Sequence, residues 1–129
     1  MILDSSALIA ILAGEPEAER LIQAISHAPV CRISAATFVE VSIVLEAQHG
    51  PEVVRQCDAL LRQAAVVIEA VSPEQAYIAR QAYLDYGKGR HPAGLNYGDC
   101  FSYALSQVTG EPLLFKGGDF AQTDIQRAS

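Results

Sequence analysis

The sequence predicts an α/β fold: one domain, residues 1–129, built on a parallel sheet of four to five short strands. Three observations predict it. Short apolar or β-branched runs alternate along the whole chain with longer segments of helical period, an order that implies parallel strands joined by helical crossovers. No internal repeat and no linker-like stretch interrupts that alternation. The length of 129 residues suits a single hydrophobic core.

The elements follow in order. Met1–Leu3 is a short apolar run ending at Asp4. Ser5 and Ser6 offer caps to a helix over Ala7–Ala13, which Gly14-Glu15-Pro16 ends. Pro16 suits the first turn of a second helix with Ala18, Leu21, Ile22 and Ile25 on one face. Val30–Ile33 reads as the second strand. Ser34 caps the next helix, which turns Phe38, Val41, Val44 and Leu45 inward and stops at Gly50-Pro51. Residues 52–64 form another helix, and Ala65–Val71 is β-branched and strand-like. Ser72-Pro73-Glu74 opens a helix reaching about Tyr86. Gly87–Gly94 (GKGRHPAG) is too rich in Gly and Pro for regular structure. Asn96 caps a helix to about Val108, Leu113–Phe115 is the last clear strand, and Thr123-Asp124-Ile125 is a candidate edge strand.

Bulk properties bound the function. Charged residues make up 19% of the chain and hydrophobic ones 50%. The first figure lies below the roughly 25% usual in soluble domains, so some apolar surface is expected to lie against a partner or a second copy. The formal net charge of −6 argues against a general binder of nucleic-acid backbone. It argues less against a nuclease whose acidic site is neutralised locally by metal ions. No apolar run reaches the ~18 residues of a membrane span, and the start MILDSS lacks the basic and apolar regions of a secretion signal. Cys31, Cys57 and Cys100 are odd in number and show no CxxC spacing. Buried reduced thiols in a cytoplasmic protein are therefore expected. His27, His49 and His91 make no zinc-ligand pair.

Four acids carry the functional signal: Asp4, Glu40, Asp99 and Asp119. In parallel α/β folds the functional crevice lies beyond the carboxyl ends of the strands. Asp4 follows the first strand and Asp119 the last clear one. Glu40 interrupts an apolar helix, and Asp99 lies in the first turn of another, both leaving the same rim. Each has a plainer role as well. Asp4 could cap a helix, Glu40 could be a solvated helix position, and Asp119 could serve a Gly-Gly turn. Asp99 stands three residues after Asn96, where a capping-box acid stands. Together, carboxylates gathered at one rim repel and raise one another's pKa values unless a cation binds. Mg²⁺ or Mn²⁺ is the natural partner of an all-oxygen donor set. Two such ions about 4 Å apart can clamp the attacking and leaving oxygens of a phosphodiester, which removes the need for a protein nucleophile. Cys100, about 100° round the helix from Asp99, is not read as one. A basic loop with Lys88, Arg90 and His91, and Lys116 beside the last strand, could meet a phosphate backbone. Tyr86 or Tyr97 could stack a base or pack at the rim.

With these residues in view, the sequence resembles the PIN-domain ribonucleases, in particular the VapC-type toxins of toxin–antitoxin pairs. MILDSSAL is similar to the family's opening strand with its first metal-site Asp. AATFVEVSIVLEA is similar to the helix bearing the second acid, and KGRHPAGLNYGDCFSYALS with EPLLFKGGDFAQTDI to a VapC subgroup. The resemblance implies an α/β/α sandwich, Mg²⁺- or Mn²⁺-dependent cleavage of RNA, a homodimer, and a VapB-type antitoxin that blocks the acidic groove. By position it implies that Asp4 and Asp99 ligate metal and that Glu40 ligates it or orients its water. Ser6 matches a polar position that supports the first Asp. Many PIN domains place the fourth acid where this chain has Gly117, so Asp119, or Asp124, is left to fill that role. The competing expectations are a non-enzymatic phospho-receiver-like domain, for which AVVIEAV offers only Glu69, and a degenerate PIN domain kept as a binding module.

Overall fold

A computed structural model describes residues 1–129. The elements are β1 (Ile2–Leu3), α1 (Ser5–Leu12), α2 (Ala18–His27), β2 (Arg32–Ser34), α3 (Ala35–His49), α4 (Pro51–Gln63), β3 (Val67–Glu69), α5 (Pro73–Tyr86), α6 (Tyr97–Thr109) and β4 (Leu113–Leu114). A short 3₁₀ turn, Phe120–Gln122, follows β4. The sheet order is β3-β2-β1-β4, with every pairing parallel. The strand that begins the chain is thus interior, flanked by β2 and β4.

Alternation along the strands divides the core in two. Leu3, Ile33 and Leu114 face one side and pack with Leu8, Leu21, Val41, Leu45, Cys57 and Leu61 from α1–α4. Ile2 and Leu113 face the other and pack with Ala79, Ala82, Tyr103, Ala104 and Leu105 from α5 and α6. The result is an α/β/α sandwich. All three cysteines are buried and free, and no helix is long and apolar enough to cross a membrane.

Local chemistry sets the helix starts. Ser34, Ser72 and Asn96 accept hydrogen bonds from first-turn amides of α3, α5 and α6, and Pro51 and Pro73 occupy first helical positions. Four expectations shift. The cap of α1 is Asp4, so the helix begins at Ser5. Pro16 lies in the turn before α2, which starts at Ala18. The strand expected over Ala65–Val71 shortens to Val67–Glu69, because Ala65 takes a left-handed conformation (φ 51°) that breaks extension. Residues 123–125 form no strand. Pairing on that edge comes later, where Arg127 bridges Leu113 in parallel and Leu113 N–H donates to Gln126 O at 2.9 Å.

Candidate active site at the carboxyl ends of the strands

Asp4 sits where β1 ends and α1 begins, and it is 1% exposed. Burying a carboxyl group demands hydrogen-bond partners, and three donors meet it. Its Oδ2 accepts from Ser6 N–H (3.0 Å) and Ser6 Oγ–H (2.7 Å). Its Oδ1 accepts from Ser102 Oγ–H at 2.6 Å. Ser102, on α6, is fully buried and lies 3.2 Å from the hydroxyl of Thr37 on α3. Ser6 Oγ in turn accepts from Lys116 N–H at 3.0 Å. A hydroxyl chain therefore ties the acid of the interior strand to α3, α6 and the end of β4. Sequence reasoning found Ser6 and missed Ser102 and Thr37. The signal available was small polar side chains on the apolar faces of two helices.

Asp99 performs two tasks with one side chain. Its Oδ2 accepts from Asn96 N–H at 3.0 Å while Asn96 Oδ1 accepts from Asp99 N–H at 2.9 Å, a complete capping box. The same carboxyl group is pushed up to about 7. Burial is the main cause, the Asn96 N–H pulls the other way, and the carboxylates of Asp4, Asp119 and Glu40 add repulsion. Glu40 is likewise raised, first by burial and then by Asp4, with the Ser5 hydroxyl opposing. Its carboxyl group lies against the backbone of Gly98 in the first turn of α6. Val41 and Leu45 of the same helix are buried in the core. Asp119 is exposed at the head of the 3₁₀ turn, with no hydrogen bond from its side chain to that turn.

Four acids from four separate segments thus act on one another at a single rim. No positive side chain figures among the groups that act on Asp99. Lys116 turns away, its ammonium paired with Glu15 and lying 3.3 Å from Glu17 Oε2. Asp124 is engaged elsewhere, accepting from Tyr103 Oη–H at 2.7 Å. That contact, after burial, helps raise the Tyr103 hydroxyl. Glu69, the only acid that AVVIEAV offers where a receiver domain would need an Asp, pairs with Arg32 at 2.8 Å. Cys100 points its Sγ at Asn96 O (3.2 Å), and burial followed by Asp99 pushes the thiol up to about 11. It is no nucleophile at neutral pH.

As the side chains stand, no three of the His, Cys, Asp and Glu groups close tightly enough to hold an ion. The donor set nevertheless suits a hard divalent cation. It is all oxygen, and two of its carboxyl groups are raised by burial and mutual repulsion that a cation would relieve.

The basic loop is ordered. Lys88 N–H donates to Leu95 O at 2.8 Å and Leu95 N–H to Tyr86 O at 2.9 Å, closing residues 87–95 on themselves. The Arg90 guanidinium lies 5.9 Å from the centre of the Tyr83 ring, and His91 stands edge-on to Tyr86 at 5.1 Å. Tyr86 is thereby packed against His91 and Tyr103, whereas Tyr97 is 78% exposed and touches Phe101. Lys88, Tyr83, Leu84, Tyr97 and Phe101 line an apolar groove of about 570 Å³ between α5 and α6. A roomier concavity of about 930 Å³, around Met1, Arg32 and Glu111, contains none of the four acids. Neither hollow is lined by any of the four acids, although Asn96, Tyr97 and Cys100, which flank Asp99, line the groove.

The description of the PIN domain family matches residues 1–126. A protein of Mycolicibacterium smegmatis named Ribonuclease VapC is 53% identical over 125 residues, 97% of each chain. Ribonuclease VapC30 of Mycobacterium tuberculosis is 51% identical over 97% of this chain and 95% of its own. Among solved structures, Mycobacterium tuberculosis VapC20, titled a sarcin–ricin loop cleaving toxin, shares the fold with a TM-score of 0.77. It is 22% identical and aligns over 96% of this chain and 95% of its own. A toxin–antitoxin complex from Klebsiella pneumoniae gives a TM-score of 0.70 at 22% identity, over 95% and 92%. Matched along nearly its whole length by a family model and by relatives of half-identical sequence, the chain belongs to the PIN-domain family and groups there with the VapC ribonucleases.

Proposed function

We propose that the protein is a Mg²⁺- or Mn²⁺-dependent endoribonuclease toxin, restrained by a VapB-like antitoxin and working in the cytoplasm as a homodimer. The observation that carries the metal dependence is the Asp99 carboxyl group, raised to about 7 in the company of Asp4, Asp119 and Glu40. Asp4 and Asp99 would hold the ion, Glu40 would hold it or orient its water, and Asp119 would complete the set. A divalent ion bound there supplies positive charge to the phosphate and an acidified water for hydrolysis.

The chain's own groups do the rest. Ser6 and Ser102 fix the Asp4 carboxyl group from both sides. The Asn96–Asp99 capping box fixes the first turn of α6. Lys88 and Arg90 would take backbone phosphates of the RNA beside the rim. Lys116 would do so only after leaving Glu15 and Glu17. The open rim suits a polymer, which an enclosed pocket would exclude. An antitoxin partner accords with the toxin–antitoxin complex among the structural neighbours. Exposed Val39 and Ile43 on α3 and Tyr77, Tyr83 and Leu84 on α5 supply apolar surface for subunit and partner contacts.

The test is cleavage of total RNA by the purified protein with Mg²⁺, with Mn²⁺ and with EDTA, alone and with the product of the neighbouring small gene. Cleavage with metal, lost with EDTA and with the antitoxin, is expected. Cleavage that persists undiminished in EDTA would refute the metal-dependent reading.

A further inference from the structure

Gly98 is the second residue of α6, in a helix whose other twelve positions hold side chains. Glycine is among the poorest helix formers, and the usual compensation is a left-handed backbone. Gly98 has none, since its φ is not positive. It is also buried. The structure supplies another reason. A Cβ built at Gly98 would fall on the carboxyl group of Glu40, with Cδ and both oxygens inside contact distance. Gly118 contrasts with it, because a Cβ there meets nothing.

The two sides of this contact cannot yield equally. Glu40 rides on α3, whose Val41 and Leu45 are fully buried in the core. Close-packed side chains of that kind hold a helix against translation. Gly98 lies beside Asp99, whose capping box holds the first turn of α6. The free variable is the Glu40 side chain, whose end is what a Cβ at Gly98 would meet.

We infer that Gly98 is a positioning residue of the acidic site: its missing side chain is the seat of the Glu40 carboxyl group. The functional half of this inference rests on the metal-dependent ribonuclease reading, and the packing half stands without it. The residue acts only through Glu40 and touches neither substrate nor cation.

The test uses the full chain carrying Gly98→Ala, Glu40→Ala, and both. In a crystal structure of the metal-free Gly98→Ala protein, the Glu40 carboxyl group is expected to have left the first turn of α6. Finding it in its original place would overturn the inference. Calorimetric titration with Mn²⁺ is expected to show at least tenfold weaker binding for Gly98→Ala than for the parent. In the Glu40→Ala background, adding Gly98→Ala should weaken binding no further. Unchanged binding in the first case, or the same fold-loss in both backgrounds, would overturn the positioning role. If Gly98→Ala fails to fold, a folded double variant supports the collision and an unfolded one overturns it. A parent chain that takes up no Mn²⁺ overturns the ribonuclease reading and the positioning role together, and the crystal structure still decides the contact separately.

Discussion

Asp99→Asn should make the metal-free protein more stable while abolishing its chemistry. The Asp99 carboxyl group moves from an ordinary 3.8 to about 7 on folding. The sign follows from proton counting. Between those two values the folded chain holds a proton that the unfolded chain has released, so stability falls as pH rises through this window. Below about 4 the penalty is absent, and above about 7 it is complete. At about 1.4 kcal/mol per unit the ceiling is roughly 4 kcal/mol. Because the group is partly open to water, about 2 kcal/mol is the better expectation. Asparagine keeps an oxygen for the Asn96 N–H and so preserves the cap, but carries no charge. In EDTA at pH 8, Asp99→Asn should therefore melt about 6 °C above the parent for a chain of this size. At pH 4.5, already inside that window, roughly half of the difference should remain. Thermal denaturation followed by circular dichroism at the two pH values measures it. An asparagine variant that melts below the parent at pH 8, or a gap that does not widen between pH 4.5 and pH 8, would refute the reasoning.

Four other outcomes are expected. Mn²⁺ affinity should fall by up to tenfold per pH unit below about 7 and level off above it, because Asp99 must shed its proton to take the ion; titrations at pH 6, 7 and 8 measure this. Ser102→Ala strips a donor from Asp4 Oδ1 and a partner from Thr37. It should cost about 1–3 kcal/mol in urea denaturation and weaken Mn²⁺ binding as well. Arg32→Ala removes ion pairs to Glu69 and Glu111 away from the rim, and should lower the melting temperature while leaving the rate of RNA cleavage unchanged. Replacing Lys88 and Arg90 together by Ala should raise KM for RNA several-fold at low salt with little change in kcat, and the difference should shrink as salt rises.

The order of elements was legible because apolar period and punctuation agreed. Asn96, Ser34, Ser72, Pro51 and Pro73 all mark true helix starts. Misreadings came where two residues could serve one purpose. Asp4 displaced its serine neighbours as the cap of α1, since a carboxylate accepts an amide hydrogen bond at least as well as a hydroxyl. At the end of the chain, Phe120 turns into the core beside Phe115, which delays the edge pairing to Arg127. The four acids could be grouped from the strand ends and from the helices that leave the same rim, because parallel topology fixes where those ends lie. Ser102 and Thr37 could not. A buried hydroxyl looks in sequence like any helix serine or threonine until the helix opposite is known. Gly98 was hidden for the same reason, since its importance lies wholly in what occupies the space beside it.

The sheet uses its strands unequally. The acids come from the end of β1, from α3, from α6 and from beyond β4, while β3 and the helix before it, α4, contribute none. At that flank Val67 and Ile68 are 42% and 49% exposed on the outermost strand. The acidic rim therefore draws on one half of the molecule, while the outer edge of β3 supplies none of its carboxyl groups. A lineage built on this frame can remodel the open border of β3, lengthening it or fitting it to new company, while the elements that carry the four acids keep their places in the sheet order.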